Sequence, residues 1–360
     1  MSGLEISLAR SVFFKMVLLR ELIFCLNFNF SIKENPMIKI NSFYELTPDH
    51  VLEAVEHAGY HPTGQYLQLN SYENRVFDIW LEEDNQVNSP SRIIAKFYRP
   101  QRWSREAILE EHSFLQELKA AEIPAVAPLG GTTTLTLEHD LWCGLFPRTI
   151  GRMPEELSLN DLTRIGSTLA RIHNVGSQKV AKARPQLTAE NFGWSSLQIL
   201  KDWVSPEVWS RYQAAATDIV SYLEESLNPQ DFIRIHGDCH KGNLLYSDRA
   251  NENPEFSIVD FDDFCNGPVV QDFWMLLSGD PELENQELQA LLQGYETFRD
   301  FNDEDLHLML PLRGLRILHY GAWIARRWAD PSFPRLFPQF RDYTYWAEET
   351  ESLEKIAWKL

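Results

Sequence analysis

Apolar and polar positions alternate differently in the two parts of this chain, and the change of period marks its organisation. "TPDHVLEAVEHAG" repeats its apolar residues at helical spacing, with Thr47 placed as N-cap, Pro48 at the first helical position and Gly59 as the stop. Two short runs follow, "RVFDIWL" (Arg75–Leu81) and "RIIAKFY" (Arg92–Tyr98), rich in branched and aromatic residues and therefore strand-like. The polar tract "EEDNQVNSPS" between them reads as a hairpin connection. Ser104–Ala120 returns to helical spacing, with Ile108, Leu115 and Leu118 on one face. "LWCGLF" (Leu141–Phe146), after "TTLTLEHD", predicts another strand. Beyond Pro147 the pattern is mostly helical. Leu162, Ile165, Leu169 and Ile172 form one stripe, and further helical patterns run from Trp203 to Leu227 and past Gln271. The clear strand signals in this part are Phe232–Ile235 and Phe256–Val259. Pro147 and Gly151 in "LFPRTIG" disfavour regular structure and mark the expected join.

Length and composition sharpen this outline. A chain of 360 residues is long for one core, and 44% apolar residues are ample for two. With 33 basic and 52 acidic residues the formal charge is −19, which repels phosphate backbones and anionic membranes and attracts cations. Nucleic acid and membrane partners are therefore not expected; a basic peptide or a polycationic small molecule fits. Cys25, Cys143, Cys239 and Cys265 form no C-x-x-C pair, which argues against a zinc cluster or a disulfide framework and fits a reducing cytoplasm. The opening segment "LARSVFFKMVLLRELIFCLNFNF" is apolar but interrupted by Lys15, Arg20 and Glu21, so it makes a poor membrane span and a poor signal peptide. Met37 is read as the natural start, with residues 1–36 an upstream extension, 37–146 a strand-bearing domain and 147–360 a helical one.

The candidate chemistry concentrates in "RIHGDCHKGNLLYSDRANENPEFSIVDFDD", Arg234–Asp263. His236, Asp238 and His240 could be metal ligands in an H-x-D-x-H cluster, although Gly237 and Gly242 suggest a loop and no second His-rich cluster completes the set. The acidic residues and Asn243 could equally be turn formers and solvated charge. That accounts poorly for Asp260, which ends the buried-looking strand "FSIV", where an unpaired carboxylate is costly. A third reading accounts for the group. "HGDCHKGN" has the form H-x-D-x-x-x-x-N, the spacing of a kinase catalytic loop. Asp238 would accept the proton of an attacking hydroxyl, while Asn243 and the strand-borne Asp260 would offer hard oxygen ligands to a magnesium ion that bridges ATP phosphates.

Beyond this loop the chain resembles the aminoglycoside phosphotransferase/choline kinase branch of the kinase-like fold, and within it the bacterial stress response kinase A group, which phosphorylates protein Ser/Thr. The resemblance is carried by "LNSYENRVF", "AKFYRPQRW", "EEHSFLQEL", "HGDCHKGN", "VDFDDFCNGPVVQDFWMLL" and "RRWADPSFP", and spans the chain from about Asn41 to the end. It implies an α+β, two-lobed protein-kinase-like fold with a small antiparallel-sheet N-lobe and a mostly helical C-lobe. It also implies an ATP- and Mg²⁺-dependent protein Ser/Thr kinase, with a small-molecule alcohol kinase and a non-catalytic nucleotide-binding scaffold as alternatives. Partners are then ATP and a protein Ser/Thr substrate, a basic one by charge, for a cytoplasmic monomer.

The same resemblance assigns further residues. Lys96 in "IIAKFY" matches the lysine that holds ATP phosphates. Its partner is Glu110 or Glu111; Glu111 lies on the inward stripe with Ile108 and Leu115, whereas Glu110 is turned by about 100°. Ser71 in "NSYENRVF" stands at the phosphate-covering turn, where Asn70 and Asn74 are equally suited to form the turn itself. Phe146 is placed near adenine. Asp272 matches the aspartate that braces the catalytic loop through its backbone. His173 and His236 are read as structural, Cys239 as inert, and His240 is given no role.

Overall fold

Thr47 caps the first helix, α1 (Pro48–His57), by accepting from the His50 backbone N–H at 3.3 Å, and the His50 ring accepts from the Thr47 N–H in return. The computed structural model describes residues 46–83, 90–130, 135–137, 141–247 and 255–360. The expected upstream extension, Cys25 and most of the hairpin connection after Glu83 lie outside the described residues.

After α1 come β1 (Pro62–Leu69), β2 (Arg75–Leu81), β3 (Arg92–Phe97), α2 (Arg105–Ala120), β4 (Leu135–Leu137) and β5 (Leu141–Pro147). The strands form one antiparallel sheet in the order β1-β2-β3-β5-β4. Because successive side chains point to opposite faces, Phe77, Ile79, Ile93, Ala95, Phe97, Cys143 and Leu145 share one face. They pack with Val51, Ala54 and Val55 of α1 into a closed core. The register Val76↔Lys96↔Gly144 and Asp78↔Ile94↔Phe146 puts the remaining side chains on the other face. β1 was not expected from the residue pattern. Its burial runs almost wholly exposed between its two ends, so no alternation of apolar and polar residues marks it.

The rest of the chain is mostly helical: α3 (Leu159–Gly176), a π-helical turn at Ala189–Trp194, α4 (Ser195–Leu200) and α5 (Pro206–Ser226). Four short strands follow, β6 (Ile233–Ile235), β7 (Leu244–Ser247), β8 (Glu255–Ile258) and β9 (Cys265–Gly267). They pair as β6-β9 and β7-β8. Then come α6 (Gln271–Trp274), α7 (Glu284–Tyr295), α8 (Met309–Arg326), α9 (Ser332–Leu336) and α10 (Tyr343–Ala357). Of the small ladders, β6 and β8 were expected, while β7 and β9 were not. The chain divides into two compact units, the first taking in the chain up to Gly151 together with Ser247–Asn253 and Ser278–Asn285, and the second built from Arg152–Tyr246, Pro254–Leu277 and Gln286–Leu360. No helix among the described residues is long and apolar enough to cross a membrane.

α10 packs on α5 and α8. Trp346 anchors that contact, with its ring 5.8 Å from Tyr212 and 5.0 Å from Phe340. Glu349, on the same helix, is buried there, and burial reinforced by Glu348 raises its pKa from 4.5 to about 7. The folded state therefore keeps a proton that the unfolded state releases between those values, so stability falls as pH rises from about 4.5 to about 7 and is level above. At about 1.4 kcal/mol per pH unit the penalty is on the order of 3 kcal/mol. Glu349→Gln should accordingly raise the thermal midpoint in mildly alkaline buffer and flatten this fall. A midpoint unchanged from the wild type in alkaline buffer would remove Glu349 as its source.

Candidate active site

The loop after β6 is held through its backbone groups and through the His236 and Asn243 side chains. Asp272, at the start of α6 and fully buried, accepts from the His236 N–H and the Gly237 N–H, both at 2.8 Å. Its Oδ2 also lies 3.0 Å from His173 Nε2 on α3. An ionised carboxylate only accepts, so Nε2 carries the hydrogen and the Tyr295 hydroxyl serves Nδ1, 2.9 Å away. Asp272 and His173 are thus structural, as the sequence suggested. Gly237 has φ +83, and a Cβ there would meet the Asp263 carbonyl oxygen at 2.5 Å. Only glycine permits that turn without strain. His236 is fully buried, its ring donating from Nε2 to the Val259 carbonyl at 2.9 Å and lying 4.5 Å from Phe261.

This arrangement does not fit the H-x-D-x-H metal cluster. His236 is committed to a carbonyl, and among the described residues no group of three or more His, Cys, Asp and Glu comes together to hold a metal. Cys239 is buried, and burial, followed by the Asp272 and Asp238 charges, pushes its thiol well up. It stays a thiol, with burial as the main cause.

Asp238, Asn243 and Asp260 are brought together by two hydrogen bonds. Asn243 Nδ2 donates to the Asp238 carbonyl at 2.9 Å, which closes the loop and turns the amide oxygen the other way. The Val259 N–H donates to the Asn243 carbonyl at 2.9 Å, so the residue after Val259, Asp260, stands beside Asn243. Asp260 itself has φ 61 and ψ 63, a left-handed conformation uncommon for a non-glycine residue. Such strain costs on the order of 1–3 kcal/mol and persists where the surroundings impose it. It redirects the chain at the end of β8 and starts the short 3-10 turn Phe261–Asp263. Asn243 and Asp260 carry an amide and a carboxylate oxygen, donor types that suit a hard cation such as magnesium.

The Asp238 carboxylate is itself engaged. Arg316 Nη2, from α8, lies 2.7 Å from Oδ1, and His240 Nε2 lies 3.6 Å from Oδ2. Sequence reasoning missed Arg316 entirely and left His240 without a role. Nothing in the local pattern of "LRGLRILHY" separates Arg316 from any solvated helix arginine.

In the sheet-bearing unit, Lys96 Nζ donates to Glu111 Oε1 at 3.0 Å, with side chains 10% and 1% exposed. Glu111, not Glu110, is the partner, as the inward stripe of α2 requires. Phe146 is buried on the Lys96 face, its ring 5.7 Å from His112 of α2. Ser71 Oγ accepts from the Asn74 N–H at 3.3 Å, and Asn74 Oδ1 accepts from the Arg99 N–H at 3.1 Å. Arg99 also donates to the Glu73 and Tyr72 carbonyls, both at 3.1 Å, which ties the turn to the end of β3. Asn74 is therefore the turn former. One buried group on the Lys96 face was not foreseen: Asp78 accepts from Arg92, and from Arg148 Nε at 3.0 Å. Arg148 directly follows β5, so this carboxylate fixes the chain as it leaves the sheet.

Residues 66–308 match the phosphotransferase enzyme family. Stress response kinase A of Escherichia coli K12 is 36% identical over 315 residues, covering 86% of this chain and 92% of that protein. The serine/threonine protein kinase RdoA of Salmonella typhimurium LT2 is 35% identical over the same shares. Among solved structures, a microcompartment-associated aminopropanol kinase superposes with a TM-score of 0.66 at 22% identity, over 86% of this chain and 97% of that one. The amicoumacin kinase hAmiN, solved in complex with AMP-PNP, Ca²⁺ and Ami, superposes with a TM-score of 0.63 at 17% identity, over 81% and 93%. At these identities the solved structures establish the kinase-like fold and no more. With a family match through both the sheet and the loop after β6, and relatives above one-third identity over most of its length, the chain belongs to the phosphotransferase enzyme family, alongside the stress response kinases A.

Proposed function

We propose that this chain is an ATP- and magnesium-dependent protein serine/threonine kinase that acts as a cytoplasmic monomer. The observation that carries the reading is the pair of hydrogen bonds that sets Asp238, Asn243 and Asp260 on one small frame. Asp238 is the group that receives the acceptor proton. As the acceptor oxygen bonds to the γ-phosphorus, the bond from that phosphorus to the β-bridging oxygen breaks, ADP departs, and the hydroxyl proton passes to the Asp238 carboxylate. Asn243 and Asp260 would hold magnesium, which when bound neutralises charge on the phosphates. The Lys96–Glu111 pair would hold the phosphates, with Ser71 at the covering turn and Phe146 near the base. Transfer of this kind passes through a loose transition state, so positioned charge does most of the work.

The protein acceptor is supported by the names of the relatives at 35–36% identity. The −19 charge favours a basic one. The test is incubation with γ-labelled ATP and Mg²⁺, with and without a generic basic protein and a panel of small alcohols. Label on the basic protein, or on the chain itself, is expected. Label on small alcohols alone would assign the chain to small-molecule kinases such as its aminopropanol kinase neighbour.

A further inference from the structure

Asp272 grips the loop after β6, so whatever orients Asp272 also orients that loop. Its Oδ2 accepts from the His236 N–H at 2.8 Å and lies 3.0 Å from His173 Nε2, while its Oδ1 accepts from the Gly237 N–H at 2.8 Å. Behind His173, the Tyr295 hydroxyl stands 2.9 Å from Nδ1. Behind Tyr295 comes Arg299. Burial pushes the pKa of the Tyr295 hydroxyl up, and the Arg299 guanidinium opposes this by its charge and by a side-chain hydrogen bond. An arginine only donates. The hydroxyl oxygen therefore accepts from Arg299, its own hydrogen turns to Nδ1, and the hydrogen on Nε2 turns to Asp272. One file of donors runs from the turn after α7 to the backbone of the loop.

This chain of bonds is dry at its centre and tied at its outer end. Asp272, His173 and Tyr295 are fully buried. Phe273, next to Asp272, lies 4.9 Å from the Tyr295 ring and stacks on His173 at 6.3 Å, and Phe301 lies 5.3 Å from Phe273. Hydrogen bonds in such apolar surroundings are stronger than in water, and bonds in series polarise one another. At the outer end Arg299 is half-buried, and its Nη1 also donates to Asn174 Oδ1 at 3.1 Å. Asn174 Nδ2 donates in turn to the Phe298 carbonyl at 2.9 Å, which fixes the turn carrying Arg299 against the end of α3.

We propose that Tyr295 is a positioning residue of the reaction, with Arg299 as its surface anchor. The hydroxyl holds His173, His173 holds the Asp272 carboxylate, and that carboxylate holds the backbone from which Asp238 projects. This rests on the assignment of Asp238 to the acceptor proton. A base displaced by about 1 Å can lose ~10²-fold in rate, so slack anywhere along the chain reaches the transfer step. Tyr295 is fully buried and touches neither acceptor nor nucleotide, so its contribution falls on the rate of transfer and not on binding.

The experiment compares Tyr295→Phe, Arg299→Met and Arg299→Lys in the wild-type and Asp238→Asn backgrounds, with whichever acceptor the wild type phosphorylates. Tyr295→Phe keeps the ring and its contacts with Phe273 and Phe301. It should lower kcat by about 10-fold, with the KM for acceptor and ATP nearly unchanged. Arg299→Met should lose less, Arg299→Lys less again, and Arg299→Met should add little once the Tyr295 hydroxyl is gone. In the Asp238→Asn background Tyr295→Phe should cost little more, because the base whose place it sets is absent. Amide exchange, followed by mass spectrometry on the peptide carrying His236 and Gly237, should quicken in Tyr295→Phe at a similar unfolding midpoint. An equal loss of transfer in both backgrounds would mean fewer folded molecules and overturn the proposal; so would wild-type kcat, a loss confined to KM, or unchanged exchange. If Tyr295→Phe does not fold, Arg299→Met decides, since wild-type kcat and exchange in that protein would equally refute the coupling. Should Asp238→Asn keep full transfer, or no acceptor be phosphorylated, the reading of Asp238 falls, while the exchange rates still report whether Tyr295 holds the loop.

Discussion

Asp238→Asn is expected to lower phosphoryl transfer by roughly 10²–10⁴-fold, the usual worth of a positioned general base, while Mg²⁺–ATP binding stays close to the wild-type level. Asparagine keeps the shape of the side chain, and the Asp238 carbonyl that receives Asn243 Nδ2 is untouched. The frame that sets Asn243 beside Asp260 should therefore persist. Asp260→Asn should behave differently: it removes a hard anionic oxygen from the proposed metal site, so the magnesium dependence of nucleotide binding should weaken as transfer is lost. Calorimetric titration of ATP with and without Mg²⁺, beside a transfer assay, separates the two. An Asp238→Asn protein unable to bind nucleotide, or an Asp260→Asn protein with unchanged magnesium dependence, would overturn these roles.

Breaking the Lys96–Glu111 pair should have the next largest effect. The ion pair is 3.0 Å long and nearly excluded from water, so removing either member leaves a buried charge, at a cost of about 3–5 kcal/mol. Lys96→Met and Glu111→Gln should each lower transfer strongly and raise the KM for ATP. The double variant should lose much less than the sum, because both single changes destroy the same interaction. Unfolding measured in parallel distinguishes lost folding from lost catalysis. Additive losses would mean that the two residues act independently, whatever their distance in the free protein. Glu110→Gln is the control, since Glu110 lies outside this ion pair and off the inward face of α2.

Several contacts around the proposed site were legible in local pattern. The spacing within "HGDCHKGN" lies on one loop, and a loop this short has few ways to place Asp238 and Asn243, as the single Asn243–Asp238 hydrogen bond shows. Glu111 was separable from Glu110 because helical geometry turns one inward and the other away. His173 could be read as structural from its apolar stripe, but not the relay it joins. Tyr295, His173 and Asp272 come from three helices and converge only when α3, α6 and α7 are packed. Asp78 was invisible for a similar reason: a strand Asp is ordinarily solvated, and only the approach of Arg92 and Arg148 makes its burial tolerable. Ser71 stayed ambiguous because glycine-free turns have no fixed signature, and its Oγ proves to close the turn through Asn74.

Periodicity alone separated a strand-bearing first part from a helical second part and chose Glu111 over Glu110, and resemblance to a family added the kinase-like class of fold, because these rest on patterns along single elements or on matched motifs. Tertiary structure decided the edge strand β1, whose exposed residues carry no alternation, and the short ladders β6-β9 and β7-β8, which exist only as pairs. It alone decided the surroundings of Asp238 as well. Arg316 reaches that carboxylate from a helix far along the chain, and its place follows from how α8 buries its apolar side, a long-range consequence of packing that no local spacing records.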